Sequence, residues 1–262
     1  MRRLITSVLM LALASAVVAG QKITLTNFGG GVVLGAKGLV GWWVLGADYR
    51  SSEYVFNDLT FNSNSGTAAL TPVFSTGPNG EINRAFYVGS SSNQRVSITG
   101  FPVIDNCAQS DYSLCFWLKV SPNPPDWARF LVYGDLSSCF CHWRCDDNDK
   151  LIVQNRYGEQ YTHIYSLEPI DDGEWHYLCY THYWGSGRET RRWFLYVDNI
   201  YQGETTWSAD YYLDGDELYL GSNVATCAGV YICDVKMFNY LLSEDERTTL
   251  YQTGNPGILL EN

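Results

Sequence analysis

The chain has 262 residues, eight of them cysteine, and a formal net charge of −11 at pH 7. This acidity excludes a protein that holds nucleic acid or anionic lipid by bulk charge, because both would be repelled. Hydrophobic residues make up 46% of the chain, enough for one packed core, and no apolar run after the N-terminus is long enough to span a bilayer.

The N-terminus has the pattern of a secretory signal peptide. Arg2 and Arg3 precede an apolar run over residues 4–18, and the small residues Ala19 and Gly20 follow it. A membrane anchor is the alternative, but the run is short for one. Cleavage after Gly20 leaves 262 − 20 = 242 residues with a net charge of 15 − 28 = −13. We therefore expect a secreted protein with a signal peptide at 1–20, a leader segment at 21–37, one domain at 38–252 and a tail at 253–262.

Most of the remaining chain is predicted to form β-strands. Apolar residues alternate in short runs, and Gly, Asn and Pro turns separate the runs. The dominant stretch is residues 171–204, in which two strand patterns flank a Gly/Ser turn. Both faces of its first strand are largely apolar, which predicts a central position in a sheet. Strands are predicted over residues 85–88, 95–99, 129–133, 151–155, 161–166, 175–180 and 193–197.

One helix is predicted, near the C-terminus. Ser243 and Glu246 have the spacing of a capping box, and Leu250 and Tyr251 give the following turns an apolar edge. Because predicted strands greatly outnumber this single helix, the fold class is predicted to be all-β.

Several of these segments resemble the concanavalin A-like superfamily, in its laminin G-like and pentraxin branches. Residues 172–199 resemble its D-G-x-W-H … L-Y-V-D-G signature, and residues 111–119 resemble its F-T-x-x-F-W-x-K strand. The family's first, penultimate and last strands and its closing helix resemble residues 38–43, 217–221, 231–239 and 242–246. The resemblance spans about residues 38–252. It implies a two-sheet antiparallel jelly-roll β-sandwich, linked by disulfides, with one short C-terminal helix.

All eight cysteines follow the predicted signal peptide, and an even number in an exported chain favours disulfides. The pentraxin resemblance implies a bond between Cys115 and Cys179, which would close a loop of 179 − 115 = 64 residues. Cys233 is expected to bond Cys227 or a cysteine of residues 139–145, because its side of the last strand is predicted to face the core. The six cysteines outside the implied pair allow fifteen pairings. They are Cys107, Cys139, Cys141, Cys145, Cys227 and Cys233.

Residues 139–149 contain potential metal ligands. Three cysteines and His142 could bind zinc, but zinc sites usually split their ligands into two pairs, so disulfides are favoured in an oxidising compartment. Asp146, Asp147 and Asn148 carry oxygen ligands at a density that suits calcium, with a charged hairpin tip as the alternative. Asp147 and Asn148 resemble the first pair of calcium ligands in pentraxins. The loop that carries the other calcium ligands in pentraxins is shortened here to residues 223–229. Calcium at these three residues is the candidate cofactor, without full pentraxin-type phosphocholine binding.

Two groups of residues could be catalytic, and a structural role is favoured for both. Asp214, Asp216 and Glu217 invite comparison with the paired carboxylates of glucanases on this fold, but the strand pattern points Glu217 away from Asp216. His176 and His182 share a strand face, yet no Ser or Cys nucleophile motif accompanies them. We therefore expect the protein not to be an enzyme.

Aromatic residues in or beside loops are the candidate ligand platforms, because sugars stack on exposed rings. Trp143 and Trp184 are two of them, and we expect Trp143, Asp147 and Asn148 to form the ligand edge. Tryptophans inside predicted strands are expected in the core instead; they are Trp43, Trp117, Trp175 and Trp193.

These patterns together predict a secreted, non-catalytic, lectin-like module that recognises a glycan or an extracellular protein. The alternative is an acidic structural component of an extracellular or biomineral matrix, with a mineral surface as partner. A glycoside hydrolase on the same fold is a more distant alternative. Because one stacking contact is worth on the order of 1 kcal/mol, useful binding would need several copies, so an oligomer is compatible with the first function.

Overall fold

Two antiparallel β-sheets packed face to face make up the fold. The structure, a computed structural model, describes residues 38–60, 62–89, 94–99, 110–124, 129–135, 139–146, 148–157, 160–185, 191–206, 217–221 and 229–253, together with four two-residue strands nearer the N-terminus.

The strands alternate with short turns along the chain. In order they are β1 (Val17–Val18), β2 (Gln21–Lys22), β3 (Asn27–Phe28), β4 (Gly31–Val32), β5 (Leu39–Trp43), β6 (Arg50–Ser52), β7 (Val55–Phe56), β8 (Gly66–Ala68), β9 (Val73–Ser75), β10 (Ala85–Val88), β11 (Arg95–Ile98), β12 (Tyr112–Val120), β13 (Arg129–Asp135), β14 (Cys139–Cys145), β15 (Lys150–Tyr157), β16 (Gln160–Pro169), β17 (Trp175–Tyr183), β18 (Arg192–Val197), β19 (Ile200–Thr206), β20 (Leu218–Gly221) and β21 (Val230–Phe238). A 3₁₀ turn spans Ala47–Tyr49, and the α-helix α1 spans Glu244–Thr253.

The strands divide into two large sheets. The first sheet has the order β19-β18-β17-β12-β21-β10-β9, and β5 also pairs with β21. The second sheet has the order β16-β15-β14-β13-β20-β11-β8-β7-β6. Two separate hairpins, β1–β2 and β3–β4, precede them. The central position predicted for the strand at residues 175–180 is confirmed, because β17 lies between β12 and β18.

The main core fills the space between the two sheets. Alternate residues of each strand point into it, and Trp43 and Trp193 are buried there, as predicted. Trp143 of the second sheet crosses the core, since its ring centroid lies 4.9 Å from that of Phe116 and 5.5 Å from that of Tyr180, both in the first sheet. Each large side chain buried in this way stabilises the fold by about 2–3 kcal/mol.

A bulge in β21 changes which of its residues face the core. The pairing with β12 shifts register here, and Asp234 has a φ of 56°. Ile232 and Val235 therefore both point into the core, whereas Cys233 lies on the outer side of the strand. The expectation that Cys233 faces inward is wrong for this reason. Bonding to a cysteine of β14 is wrong too, because that strand lies across the core; Cys227 is outside the described residues.

Helix α1 covers the outer face of the first sheet. The predicted capping box is confirmed, since the Ser243 amide donates to Glu246 Oε2 at 2.7 Å and the Glu246 amide donates to Ser243 Oγ at 3.3 Å. Leu250 of the helix is buried against Tyr177 and Phe238. The outer face of the second sheet is exposed along its edge strand β16, whereas Ile152 and Gln154, which face outward from the adjacent β15, are buried.

Candidate functional site

The predicted ligand edge does not assemble around its tryptophans. Trp143 lies inside β14 rather than at a loop, and its side chain is fully buried, so it cannot stack on a ligand. Trp184 follows β17 of the first sheet, and the guanidinium of Arg191 lies 3.7 Å from its ring centroid. The expectation that Trp143 forms part of the ligand edge is therefore wrong, because its side chain lies in the core. Trp184 has one face of its ring covered by Arg191.

The acidic segment after β14 forms a tight hairpin turn. Asp146 Oδ1 accepts hydrogen bonds from the amides of Asn148 and Lys150, both at 2.9 Å. Within the part of the chain that the structure describes, no group of three or more His, Cys, Asp or Glu side chains could hold a metal ion. Asp147 lies outside that part, so calcium at Asp146, Asp147 and Asn148 stays a prediction. Burial and the nearby Asp171 raise the pKa of Cys145 to about 12, which fits a core thiol.

Cys115 and Cys179 are direct cross-strand neighbours in the first sheet. They pair in register between β12 and β17, and their sulfur atoms lie 2.7 Å apart as two thiols. Directly opposed residues in an antiparallel pair have Cα atoms about 4.5–5.5 Å apart, which is within the range that a disulfide spans. The bond between them is therefore a prediction that the backbone geometry permits.

The acidic group at the start of β20 is only partly described. Asp214 and Asp216 lie outside the described residues. The carboxylate of Glu217 accepts a hydrogen bond from the hydroxyl of Tyr219. The expectation that this acidic group is structural rather than catalytic therefore stays a prediction.

Both histidines of β17 have neighbours that suit a structural role. His182 is buried, stacks 4.9 Å from the Trp193 ring centroid and places Nδ1 3.0 Å from the Ser110 carbonyl oxygen. His176 lies between two carboxylates, with Nδ1 2.7 Å from Asp198 Oδ2 and Nε2 3.2 Å from Asp172 Oδ1. The hydrogen bond to Asp198 is the main cause that raises the pKa of His176, against an opposing effect of burial.

The raised pKa of His176 gives a testable pH dependence. Its stabilising contribution is fully present below the unfolded-state pKa of about 6.5 and is lost as pH rises through the folded-state pKa. We expect His176→Gln to lower the free energy of unfolding more at about pH 5.5 than at about pH 8.5, measured by urea denaturation. His163→Gln is the control with the opposite sign, because burial and the charge of Arg144 lower the pKa of His163. An equal loss at both pH values for His176→Gln would contradict the prediction.

An exposed row of rings runs along β16, at the edge of the second sheet. Tyr161, His163 and Tyr165 occupy alternate positions, while Ile164 and Ser166 between them are buried. The ring centroids of Tyr161 and His163 are 6.3 Å apart at an interplanar angle of 7°, and those of His163 and Tyr165 are 5.9 Å apart at 36°. Each tyrosine is 46% exposed. We call Tyr161, His163 and Tyr165 the aromatic ladder.

Contacts with the first sheet hold the ladder in place. The hydroxyl groups of Thr162 and Thr205 hydrogen-bond across the open side of the sandwich. The amide of Leu167 donates to Gln202 Oε1 at 2.8 Å. Because Thr205 and Gln202 belong to β19, these bonds tie the edge of the second sheet to the edge of the first. A ladder fixed at both ends is suited to binding without rearrangement.

The sequence analysis expected the ligand to bind at tryptophans near loops. It missed the aromatic ladder, because the ladder contains no tryptophan and lies within a strand. Its signal is the run from Tyr161 to Leu167, in which aromatic residues alternate with Thr, Ile and Ser. That alternation predicts a strand, but it does not show which face is covered. The exposed side becomes recognisable only once Ile164 is placed in the core.

Comparison with known proteins identifies the type of fold. Residues 90–246, which are 157 of the 262 residues, match the model of a family described as the concanavalin A-like lectin/glucanases superfamily. No curated protein sequence matches the chain. The two-sheet antiparallel sandwich with a short C-terminal helix also agrees with solved structures. In the described part of the chain, no helix is both long and apolar enough to cross a membrane.

Several similar solved structures are named as binding domains of toxins. The binding domain of Paraclostridial Mosquitocidal Protein 1 superposes with a TM-score of 0.66 at 12% identity, covering 83% of this chain and 52% of that one. The binding domain of botulinum neurotoxin DC, in complex with rat synaptotagmin II, gives 0.64 at 10% identity, covering 82% and 51%. The type G receptor binding domain gives 0.61 at 12% identity, covering 83% and 52%. The chain thus spans about half the length of these structures and shares their fold.

Proposed function

Because the chain belongs to the concanavalin A-like lectin/glucanases superfamily, we propose that it is a secreted, non-catalytic module that binds a glycan through the aromatic ladder. The single observation that carries this proposal is the exposure of Tyr161 and Tyr165 on a rigid strand. The superfamily includes both lectins and glucanases, so membership alone does not choose binding over hydrolysis. Binding is supported by the similar toxin structures, which are named as receptor-binding or binding domains.

The dimensions of the ladder suit a sugar chain. A tyrosine ring offers an apolar face to the C–H groups of a sugar and a hydroxyl to its polar groups. Tyr161 and Tyr165 flank His163 at ring spacings of 6.3 and 5.9 Å, so the three rings follow one another along the strand. Since each stacking contact contributes on the order of 1 kcal/mol, one module binds weakly and clustering strengthens it.

Structural neighbours of this fold bind either a glycan or a protein. Cell entry of botulinum neurotoxin type C is described as dependent upon interaction with two ganglioside molecules. The binding domain of botulinum neurotoxin DC forms a complex with the protein rat synaptotagmin II. A protein receptor is therefore the alternative ligand. In that case the ladder packs on apolar side chains of the receptor instead of sugar rings.

The ladder tyrosines provide the direct test of glycan binding. We expect Tyr161→Ala combined with Tyr165→Ala to weaken binding about 30-fold, the effect of losing two contacts of about 1 kcal/mol each. Binding is first found on a glycan array and then measured by calorimetry. Tyr54→Ala is the matched control, because Tyr54 is 39% exposed but lies outside β16. Unchanged binding in the double variant would place the ligand on another surface.

The second candidate function is an acidic matrix component. The net charge of −11 favours it, because carboxylates can face the cations of a mineral surface. Calcium carbonate or hydroxyapatite pull-down of the same protein tests this candidate. The matrix function is favoured if the mineral retains the double tyrosine variant as well as the wild type and no glycan on the array is bound.

A further inference from the structure

A second row of accessible side chains crosses the outer face of the first sheet. It runs over the five neighbouring strands β9, β10, β21, β12 and β17, and its members pair directly with one another; they are Val73, Tyr87, Tyr231, Lys119 and Trp175. Val73 is 48% exposed, and the other four are partly exposed. The residues next to them along the strands, such as Leu118 and Ile232, point into the core. We call these five residues the lysine row.

The lysine row lies beyond the reach of helix α1 on this face. The helix packs on Tyr177 and Trp117, and its Tyr251 stacks on Trp117 with ring centroids 5.9 Å apart. Lys119 and Trp175 stand two positions away from these residues on β12 and β17. The row also belongs to a different sheet from the aromatic ladder. It is therefore a separate surface, and a ligand on one of the two leaves the other accessible.

Three aromatic rings follow one another along the row. The ring centroids of Tyr87 and Tyr231 are 5.0 Å apart, and those of Tyr231 and Trp175 are 6.5 Å apart at an interplanar angle of 63°. Since β12 separates their strands, the Cα atoms of Tyr231 and Trp175 lie about 10 Å apart. Their rings are closer than their Cα atoms, so the two side chains incline toward each other across Lys119. The expectation that Trp175 lies in the core is wrong, because its ring belongs to this outer row.

Lys119 is a cation without a partner in the part of the chain that the structure describes. Its ammonium forms no ion pair or hydrogen bond there, and β12 contains no acidic residue. Glu174, the acid that precedes Trp175, is exposed and does not pair with it. By contrast, Arg192 on the same face of the sheet has Glu204 at 3.6 Å. The row therefore presents an unpaired positive charge between aromatic rings.

Stacking and desolvation together define the charge of a ligand on this row. A ligand that stacks on both Tyr231 and Trp175 also covers Lys119. Covering an ammonium without supplying a counter-charge removes its water and replaces it with no equivalent interaction, which opposes binding. The ligand must therefore carry an anionic group at that position. Because a lysine ammonium acts as a point charge, carboxylate and sulfate groups both suit it.

The sheet also distinguishes a sugar chain from a peptide. Strands β10, β21, β12 and β17 each have a hydrogen-bonded neighbour on both sides, so an extended peptide cannot join them as a further strand. The row instead offers ring faces and the hydroxyl groups of Tyr87 and Tyr231, which suit the C–H groups and hydroxyls of sugars. We propose that the lysine row is a second binding site, for a glycan that carries carboxylate or sulfate groups. This site does not rest on the proposed function of the ladder.

The test uses the full chain with the ladder disabled by Tyr161→Ala and Tyr165→Ala. Polygalacturonate and dextran sulfate oligomers are titrated into it by calorimetry, each beside its uncharged counterpart, methyl-esterified polygalacturonate or dextran. We expect a charged form to bind more tightly than its counterpart, and Lys119→Gln to weaken that binding about tenfold or more. Lys119→Arg should retain the binding, since it keeps the positive charge.

Two further variants separate the site from a general attraction between charges. Arg192→Gln is the matched control, because it removes a cation from the same face that is already paired with Glu204, and it should leave the affinity unchanged. Trp175→Ala should weaken binding as well, which an attraction to Lys119 alone would not produce.

The outcomes separate this inference from the proposed function. If neither charged polysaccharide binds the ladder-disabled protein, the inference is wrong, whereas glycan binding by the wild type would still support the ladder. Equal affinity for charged and uncharged forms, or an equal loss with Arg192→Gln, would overturn the role of Lys119. If poly-glutamate binds more tightly than either polysaccharide and this binding needs Lys119, the ligand is an acidic protein and the choice of a glycan is wrong.

Discussion

Replacing Asp234 with asparagine is expected to lower the free energy of unfolding by about 3–5 kcal/mol, because it leaves Lys236 charged and unpaired inside the protein. Lys236 is fully buried, and its ammonium donates to the Asp234 carboxylate. The other carboxylate oxygen accepts a hydrogen bond from Trp42 Nε1 at 2.7 Å. The ammonium lies 5.5 Å from the Trp42 ring centroid, a contact too weak to replace the lost negative charge.

Asparagine isolates the effect of charge from the effect of backbone conformation. Asp234 has a φ of 56°, and asparagine tolerates this left-handed region better than most residues. Its side-chain oxygen can still accept from Trp42. Urea denaturation at neutral pH measures the loss, and the double variant Asp234→Asn with Lys236→Met is the control. We expect the double variant to be more stable than Asp234→Asn alone, because it no longer buries a charge without a partner. If the free energy of unfolding of Asp234→Asn lies within about 1 kcal/mol of the wild-type value, the prediction is wrong.

Oxidised protein is expected to contain a Cys115–Cys179 disulfide that stabilises the fold by about 4 kcal/mol in the chain-entropy model. The two residues are paired in register in adjacent central strands, and the loop they close spans 64 positions. Peptide mapping without reduction should recover them as one linked fragment. Unfolding with and without reductant should then differ more in the wild type than in a Cys115→Ala, Cys179→Ala control.

Burial affects when this bond can form. Removal from solvent, followed by the hydrogen bond with Cys115, raises the pKa of the Cys179 thiol, so little reactive thiolate exists in the folded protein. We therefore expect oxidation during folding rather than after it. The check uses protein purified from an oxidising compartment and unfolded without reductant. If Cys179 can then be alkylated, its thiol was free, and the pair stays reduced.

Strand positions and the helix were predictable because their signals are local. Alternating apolar residues predict β17 and β18 at their observed places, and the Ser243–Glu246 spacing predicts the cap of α1. Both depend on contacts between residues close in the chain or on backbone periodicity. The family resemblance added the sandwich, because several such local segments occur in a characteristic order.

The candidate site was less predictable, because it depends on how elements cover one another. Trp143 was expected near a loop, but β14 places it between β13 and β15 with its ring in the core. The bulge at Asp234 turned Cys233 outward, and alternation along a strand cannot show where it is interrupted.

The sequence by itself determined that residues such as Tyr161 and Tyr177 stand at alternate positions of β-strands, since backbone geometry alternates side chains between two faces. It did not determine which of them meets solvent. Tyr177 is 1% exposed because α1 packs on the outer face of the first sheet, and Tyr161 is 46% exposed on the outer face of the second. Only the packing of distant segments in the tertiary structure decided that difference, and with it the position of the aromatic ladder.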